Sequence, residues 1–145
     1  VIERNPILLI TLENENFLMD KNGLLLPAKG KAISYYPVPI INISKDMDYK
    51  SGLTGEIAEV FNFLVNDYPL FYDNLSEVIM EDEKWTFYSD SKTQIFTTSD
   101  DLLSQLNILK NFERTVYPNK QLGDYSYIDL RVAEQVVVKE KYRKG

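Results

Sequence analysis

Two apolar stripes at helical spacing constrain the fold of this chain more than any other feature. The first stripe recurs at i, i+3, i+4 and i+7 as Ile57, Val60, Phe61 and Leu64, and the second consists of Leu102, Leu106, Leu109 and Val116. Such spacing is typical of an amphipathic α-helix. Because a one-sided helix must bury its apolar face, we expect each stripe to cover a sheet.

Helix start and stop signals flank both stripes. Thr54 and Ser99 are candidate N-caps, since their hydroxyls can accept a hydrogen bond from an unpaired backbone N–H. Pro69 and Pro118 follow the stripes, and proline cannot continue a helix. The sequence therefore predicts two principal helices, one on each side of the chain centre.

Short runs of β-branched and aromatic residues predict the strands that these helices cover. They span residues 7–12, 17–20, 24–26, 40–43, 77–80, 85–88 and 94–97. The turn Asp-Lys-Asn-Gly at residues 20–23 joins the second and third runs, because Asn and Gly tolerate positive φ. Near the C-terminus Ile128, Leu130 and Val132 alternate with Tyr127, Asp129 and Arg131, and residues 135–141 follow as a last strand.

The order of these elements predicts an α+β fold, in which a mixed, largely antiparallel β-sheet packs against two principal α-helices. No repeat, low-complexity stretch or linker interrupts residues 1–145, so we assign them to one domain. The last strand is also the end of the chain. We therefore expect it at or near a sheet edge, with backbone N–H and C=O groups free on one side.

Two interpretations of that edge stay open at this point. Charged residues on an edge strand oppose unwanted pairing with other chains, and Lys139, Glu140 and Lys141 suit that purpose. Alternatively, the edge is a docking site for an extended segment, and its basic residues select an acidic partner.

Composition excludes several classes of function. The chain contains no Cys and no His, which removes disulfides, thiolate zinc sites and imidazole general bases. The formal net charge of −6 argues against nucleic-acid binding, which needs cationic groups aligned on phosphates. No apolar run approaches the roughly 20 residues that span a bilayer. Val1 is not an initiator Met, so we expect a piece cut from a longer protein.

Two segments rich in carboxylates are candidates for metal binding or catalysis. Residues 46–52 invite comparison with a calcium loop, but Lys50 stands at its fifth position, Gly52 comes one place late, and Ile57 replaces the closing glutamate. Glu77 and the acidic residues 81–83 have the chemistry for glycoside hydrolysis, yet residues 81–83 form a predicted turn, where solvated charges belong. We therefore expect no metal, no cofactor and no enzymatic activity.

Aromatic side chains suggest an alternative binding function. Trp85 with Phe87, or Tyr35 with Tyr36, would form a platform for sugar rings, as in a periplasmic carbohydrate- or peptidoglycan-binding module. Aromatic residues at strand spacing more often fill a core or cover a sheet face.

The C-terminal motif Tyr-Ile-Asp-Leu-Arg at residues 127–131, followed after a short turn by a valine-rich strand, resembles the C-terminal signature of the FtsQ/DivIB family of bacterial cell-division proteins. Three further segments agree with that family in order. Glu-Arg-Asn-Pro at residues 3–6 resembles the junction where the family's β domain begins, Asp-Lys-Asn-Gly at 20–23 resembles its hairpin, and Val-Pro-Ile-Ile at 38–41 resembles its proline-led strand.

This resemblance implies the extracytoplasmic β domain of a single-pass inner-membrane protein at the division septum. In the family a short cytoplasmic tail, one transmembrane helix and a POTRA domain precede the β domain, and all three would lie upstream of residue 1. The domain would have no enzymatic activity. It would act as a divisome scaffold that joins early ring components to later ones through the small coiled-coil membrane proteins FtsB (DivIC) and FtsL.

In the family the last strands accept a strand from FtsB, which implies a set of partner-binding positions in this chain. By position these are Arg131, Val132, Gln135, Val136, Val137, Val138 and Lys139. Val132 departs from the family pattern, because many members carry an aromatic residue there. Backbone hydrogen bonds would supply affinity, while alternate side chains and Arg131 would fix register and partner.

Overall fold

The computed structural model describes residues 5–13, 15–28, 37–44 and 53–141. Their elements in chain order are β1 (Pro6–Leu12), β2 (Glu15–Asp20), β3 (Leu25–Pro27), β4 (Ile40–Ile43), α1 (Leu53–Asp67), α2 (Pro69–Asp73), β5 (Leu75–Glu81), β6 (Lys84–Ser89), β7 (Gln94–Thr98), α3 (Leu102–Val116), β8 (Tyr125–Asp129) and β9 (Val137–Glu140). A 3₁₀ turn, Leu122–Asp124, leads into β8.

The strands form one mixed sheet in the order β3-β2-β1-β4-β5-β6-β7-β8-β9. β4 runs parallel to both β1 and β5, and β8 runs parallel to β7, whereas the other neighbours are antiparallel. Parallel neighbours need a crossover connection. α1 and α2 form the one between β4 and β5, and α3 forms the one between β7 and β8. The predicted α+β class with a largely antiparallel sheet is thus confirmed.

The C-terminal hairpin of β8 and β9 joins the rest of the sheet through a short seam. β7 and β8 pair only from Gln94 to Phe96, opposite Tyr127 to Asp129. By comparison, the antiparallel pairing of β5 with β6 runs from Leu75 to Glu81. The last two strands are therefore attached by the shortest ladder in their half of the sheet.

The core lies between one face of the sheet and the helices α1 and α3. The predicted stripes face it, because Ile57, Phe61, Leu64, Leu106 and Leu109 are fully buried. The sheet contributes a row of register partners, Ile10, Ile41, Val78, Phe87, Ile95 and Ile128. Each such side chain contributes roughly 1.5 to 3 kcal/mol when it leaves water. We call this side of the sheet the helix face and the opposite side the far face.

Both predicted helix caps are wrong in detail. α1 begins at Leu53, so Thr54 lies within its first turn rather than before it. α3 begins at Leu102 with Asp101 at the N-cap position. Ser99 lies two residues before that N-cap position and belongs to the sheet instead, since its backbone N–H donates to Glu83 O at 3.0 Å and continues the ladder of β6 and β7. The predicted stop at Pro118 is confirmed, since α3 ends at Val116.

The short helix α2 has no signal in the helical periodicity. Pro69 follows the end of α1 and is the first residue of α2. Proline is well tolerated there, because the N–H at the first helical position has no partner within the helix. The hydroxyl of Tyr72 donates to Ile7 O at 2.6 Å, and that of the buried Tyr68 donates to the Glu113 carboxylate of α3. Burial, together with the neighbouring Glu113 carboxylate, strongly raises the pKa of Tyr68. Tyr72 therefore connects α2 to β1, and Tyr68, directly before α2, connects the end of α1 to α3.

Candidate functional site

Among the described residues, β9 is the last strand of the sheet and has a neighbour on one side only. It pairs antiparallel with β8, with Val137 opposite Asp129, Val138 opposite Ile128 and Lys139 opposite Tyr127. The predicted position of the terminal strand at a sheet edge is confirmed. The strand is shorter than predicted, however, because it spans Val137–Glu140 and not residues 135–141.

Backbone hydrogen bonds show which groups of β9 point outward. The N–H of Lys141 donates to Asp124 O at 3.0 Å, on the β8 side. The N–H of Leu130 donates to Phe96 O of β7, so the backbone groups of Asp129 turn the other way, toward β9. Because backbone groups alternate in direction along a strand, Val137 and Lys139 bond to β8. The N–H and C=O groups of Val138 and Glu140 therefore form the free edge.

Side chains of β9 alternate between the two faces of the sheet. Val138 stands opposite the buried Ile128 and so lies on the helix face, whereas Val137 and Lys139 lie on the far face with Asp129 and Tyr127. Val137 is 38% exposed and Val138 is 36% exposed. Both valines at the free edge are accessible to another chain.

The residues before β9 form a tight turn. The N–H of Gln135 donates to Val132 O at 3.1 Å, and Glu134 has a positive φ of 58°. A glycine suits such a position best, so the turn carries strain at Glu134. Val132 and Gln135 are exposed, and Val136 packs partly buried against the core. The predicted inward alternation of Ile128, Leu130 and Val132 thus fails at Val132, because the chain turns after Leu130.

Arg131 is held on the far face by its own chain. Its guanidinium donates to both oxygens of the Asp129 carboxylate at 2.9 Å and lies 5.1 Å from the centre of the Phe96 ring. The Arg131 hydrogen bonds lower the pKa of Asp129, and the same contact raises the pKa of Arg131. Lys84 approaches the Phe96 ring as well, at 5.0 Å. Arg131 is therefore preoriented, with its side chain still 39% exposed.

The C-terminal end of β9 is fastened to neighbouring loops. Lys120 Nζ lies 3.0 Å from the Glu140 carboxylate, and Lys141 Nζ donates to Ser91 O at 2.6 Å. Of the basic residues predicted to select a partner, Lys139 remains exposed, whereas Lys141 is engaged within the chain. Arg143 and Lys144 lie outside the described residues.

The structure also locates most of the residues of the alternative sites, namely the aromatic platform and the acidic cluster. Trp85 is 1% exposed and Phe87 is fully buried, so they fill the core, as is usual for aromatic residues at strand spacing, and the alternative sugar platform of these two residues is wrong. Glu81, Asp82 and Glu83 lie exposed around the β5–β6 turn, where the sequence placed them, and Glu77 accepts a hydrogen bond from Asn42 Nδ2 at 2.9 Å. Tyr35, Tyr36 and the calcium-like segment 46–52 fall outside the described residues. Within the described ranges, no three acidic side chains are grouped so that they could hold a metal ion.

The direction of the outward backbone groups is the feature that sequence reasoning missed. The family-like pattern marked every residue of the terminal strand equally. Which residues of β9 turn their backbone groups outward is determined by the bond between Lys141 and Asp124 and by a bulge in β8 between Tyr125 and Tyr127. No pattern in the sequence indicates either of these contacts.

Comparisons with known proteins agree with this fold. The family model "FtsQ/DivIB, C-terminal related" matches residues 5–139. Among solved structures, the major extracytoplasmic domain of the trans isomer of the bacterial cell division protein DivIB from Geobacillus stearothermophilus matches with a TM-score of 0.51 and 16% identity. That match covers 83% of this chain and the full length of the solved DivIB domain. A search of curated proteins gives no match.

The family match spans nearly the whole described chain, and the solved domain independently shows the same fold. None of the helices in the described ranges has the length and apolar character to cross a membrane. Together, the family match and the sheet with its C-terminal edge hairpin show that this chain belongs to the FtsQ/DivIB C-terminal related family of cell-division domains.

Proposed function

We propose that this domain is a non-catalytic scaffold of the divisome, which docks FtsB/DivIC-type and FtsL-type partners by β-strand addition along β9. The observation that carries the proposal is the outward direction of the Val138 and Glu140 backbone groups on a strand that has one neighbour in the part of the chain that the structure describes. An extended segment can satisfy those groups and continue the sheet. The full protein would be anchored in the inner membrane by an upstream transmembrane helix, with this domain extracytoplasmic at the septum.

Side chains around the edge would fix the register of the added strand. A partner residue beside Val137 meets the far face, where Arg131 and Lys139 offer positive charge, and we expect acidic partner residues there. A residue beside Val138 meets the helix face and should be apolar. The partner segment should therefore alternate acidic and apolar residues, because successive strand residues face opposite sides.

The ion pair of Arg131 with Asp129 limits how much Arg131 can contribute to the free energy of partner binding. Its guanidinium is already paired with Asp129, so a partner carboxylate would share an existing ion pair rather than neutralise a free charge. Exposed ion pairs contribute about 0 to 1 kcal/mol. The backbone of β9, more than Arg131, would then determine the affinity.

The test is a proline at position 138. Val138→Pro removes an outward N–H but keeps the bonds between β9 and β8, and Val138→Thr is the matched control, which retains both the N–H and the β-branched shape. Binding of the extracytoplasmic segment of the FtsB/DivIC-type partner is measured by titration calorimetry. Loss of one bond, with an unpaired partner carbonyl, should weaken binding about tenfold. Equal affinity of the two variants would rule out strand addition at this N–H.

A further inference from the structure

A groove of about 750 Å³ adjoins the C-terminal end of β9, on the side of the molecule formed by α2, the end of α3 and the β6–β7 turn. Its floor includes the buried Phe71 and Leu122. Pockets of this size and lining accept apolar groups of a ligand or partner.

Two large apolar side chains stand exposed on the rim of this groove. Tyr117 is 66% exposed and Leu70 is 57% exposed, which are the highest values for large apolar side chains in the described part of the chain. Both residues line the same groove, so their exposure is not scattered. Grouped exposed apolar residues mark interaction sites on soluble surfaces.

The groove borders the C-terminal end of β9. Lys120, one of the groove residues, forms the ion pair with Glu140, and Ser91, another, accepts the hydrogen bond of Lys141. β9 runs toward these contacts. A strand paired beside Val138 and Glu140 would therefore reach the end of β9 that borders the groove.

The edge alone is too small for a specific interface. β9 has four residues, of which two point their backbone groups outward. A specific protein interface takes about 20 to 30 residues on each side and buries about 800 Å² per partner. The partner must contact more of this domain than β9, and the adjoining groove offers the most exposed apolar side chains for that contact.

We infer that the groove binds a second part of the same partner, namely the segment flanking its paired strand, through a large apolar or aromatic side chain seated between Leu70 and Tyr117. This inference rests on the proposed strand addition at β9 and adds an anchor to it. Hot spots of binding energy are such side chains in desolvated pockets, whereas edge bonds mainly set direction and register.

The experiment uses the whole domain and the extracytoplasmic segment of its division partner. Tyr117→Ala and Leu70→Ala remove exposed side chains and should leave the fold intact, which thermal unfolding verifies. Each should weaken binding roughly tenfold, the loss expected for truncation of an interface anchor. Leu26→Ala is the matched control, because Leu26 is also exposed, at 40%, but lies on β3 at the opposite edge of the sheet.

The possible failures are distinguishable. If Val138→Pro weakens binding about tenfold while Tyr117→Ala and Leu70→Ala leave the affinity within twofold of the Leu26→Ala control, the groove inference is overturned and strand addition stands. If Val138→Pro binds as well as the unmodified domain, strand addition falls and the groove inference falls with it. A photo-crosslinking amino acid in place of Tyr117 should capture the partner, and one in place of Leu26 should not.

Discussion

Proline at two neighbouring positions of β9 should have opposite consequences for folding and binding. The N–H of Val137 points toward β8, where Asp129 is its register partner, and the N–H of Val138 points away from the sheet. Val137→Pro therefore breaks a bond inside the domain. Val138→Pro removes an N–H that faces solvent in the unbound domain.

The expected magnitudes follow from these directions. A lost intramolecular hydrogen bond costs about 0.5 to 1.5 kcal/mol net, and leaving the Asp129 carbonyl without its donor raises the cost of Val137→Pro to about 1 to 3 kcal/mol. Val138→Pro loses no bond, and its proline also restricts the unfolded chain, so the free energy of unfolding should change by less than about 0.5 kcal/mol. For partner binding the order reverses, because only the Val138 N–H would face the added strand.

Urea unfolding followed by the fluorescence of Trp85 measures the first effect. Trp85 is the single tryptophan of the chain and is 1% exposed, so its emission reports loss of the core. Amide hydrogen exchange gives a second measure, with slow exchange at Val137, Lys139 and Lys141 and fast exchange at Val138 and Glu140. Equal destabilisation by the two prolines, or protection at Val138, would refute the assigned alternation.

Three further predictions concern the C-terminal hairpin. Glu134→Gly should stabilise the domain by up to about 1 kcal/mol in urea unfolding, because it relieves a positive φ; a loss would contradict strain in the turn. Asp129→Asn should lower stability at neutral pH but not in strong acid. Arg131 lowers the pKa of Asp129, so this contribution is complete above about pH 4, the pKa of an unfolded aspartate, and is lost as the pH falls through the folded value; a pH-independent difference would contradict it. Lys120→Met should change thermal stability by less than about 0.5 kcal/mol, since its ion pair with Glu140 is exposed, and a larger change would show that the pair fastens β9.

Patterns that repeat along the chain were the predictable part of this fold. The stripe of Ile57, Phe61 and Leu64 identifies α1 because burial of one helix face imposes its period on the sequence. The position of β9 at an edge follows similarly from its place at the end of the chain. Family-like motifs added the identity of the domain, which no single pattern of apolar residues would give.

Features that depend on contacts between distant segments were not predictable. α3 begins at Leu102 and not directly after Ser99, because Ser99 extends the β6–β7 ladder by donating its N–H to Glu83 O in the β5–β6 turn. The outward groups of β9 likewise depend on the bond from Lys141 to Asp124.

The short seam between β7 and β8 has a mechanical consequence. If a partner pulls on β9 during constriction of the cell, the load passes through β8 into the pairs at Gln94 to Phe96. Bonds loaded in parallel along a strand share the force, whereas bonds opened one after another from an end carry it singly. The direction in which the bound partner pulls on β9 would then decide whether the hairpin of β8 and β9 stays attached or separates from β7 as a local unfolding unit.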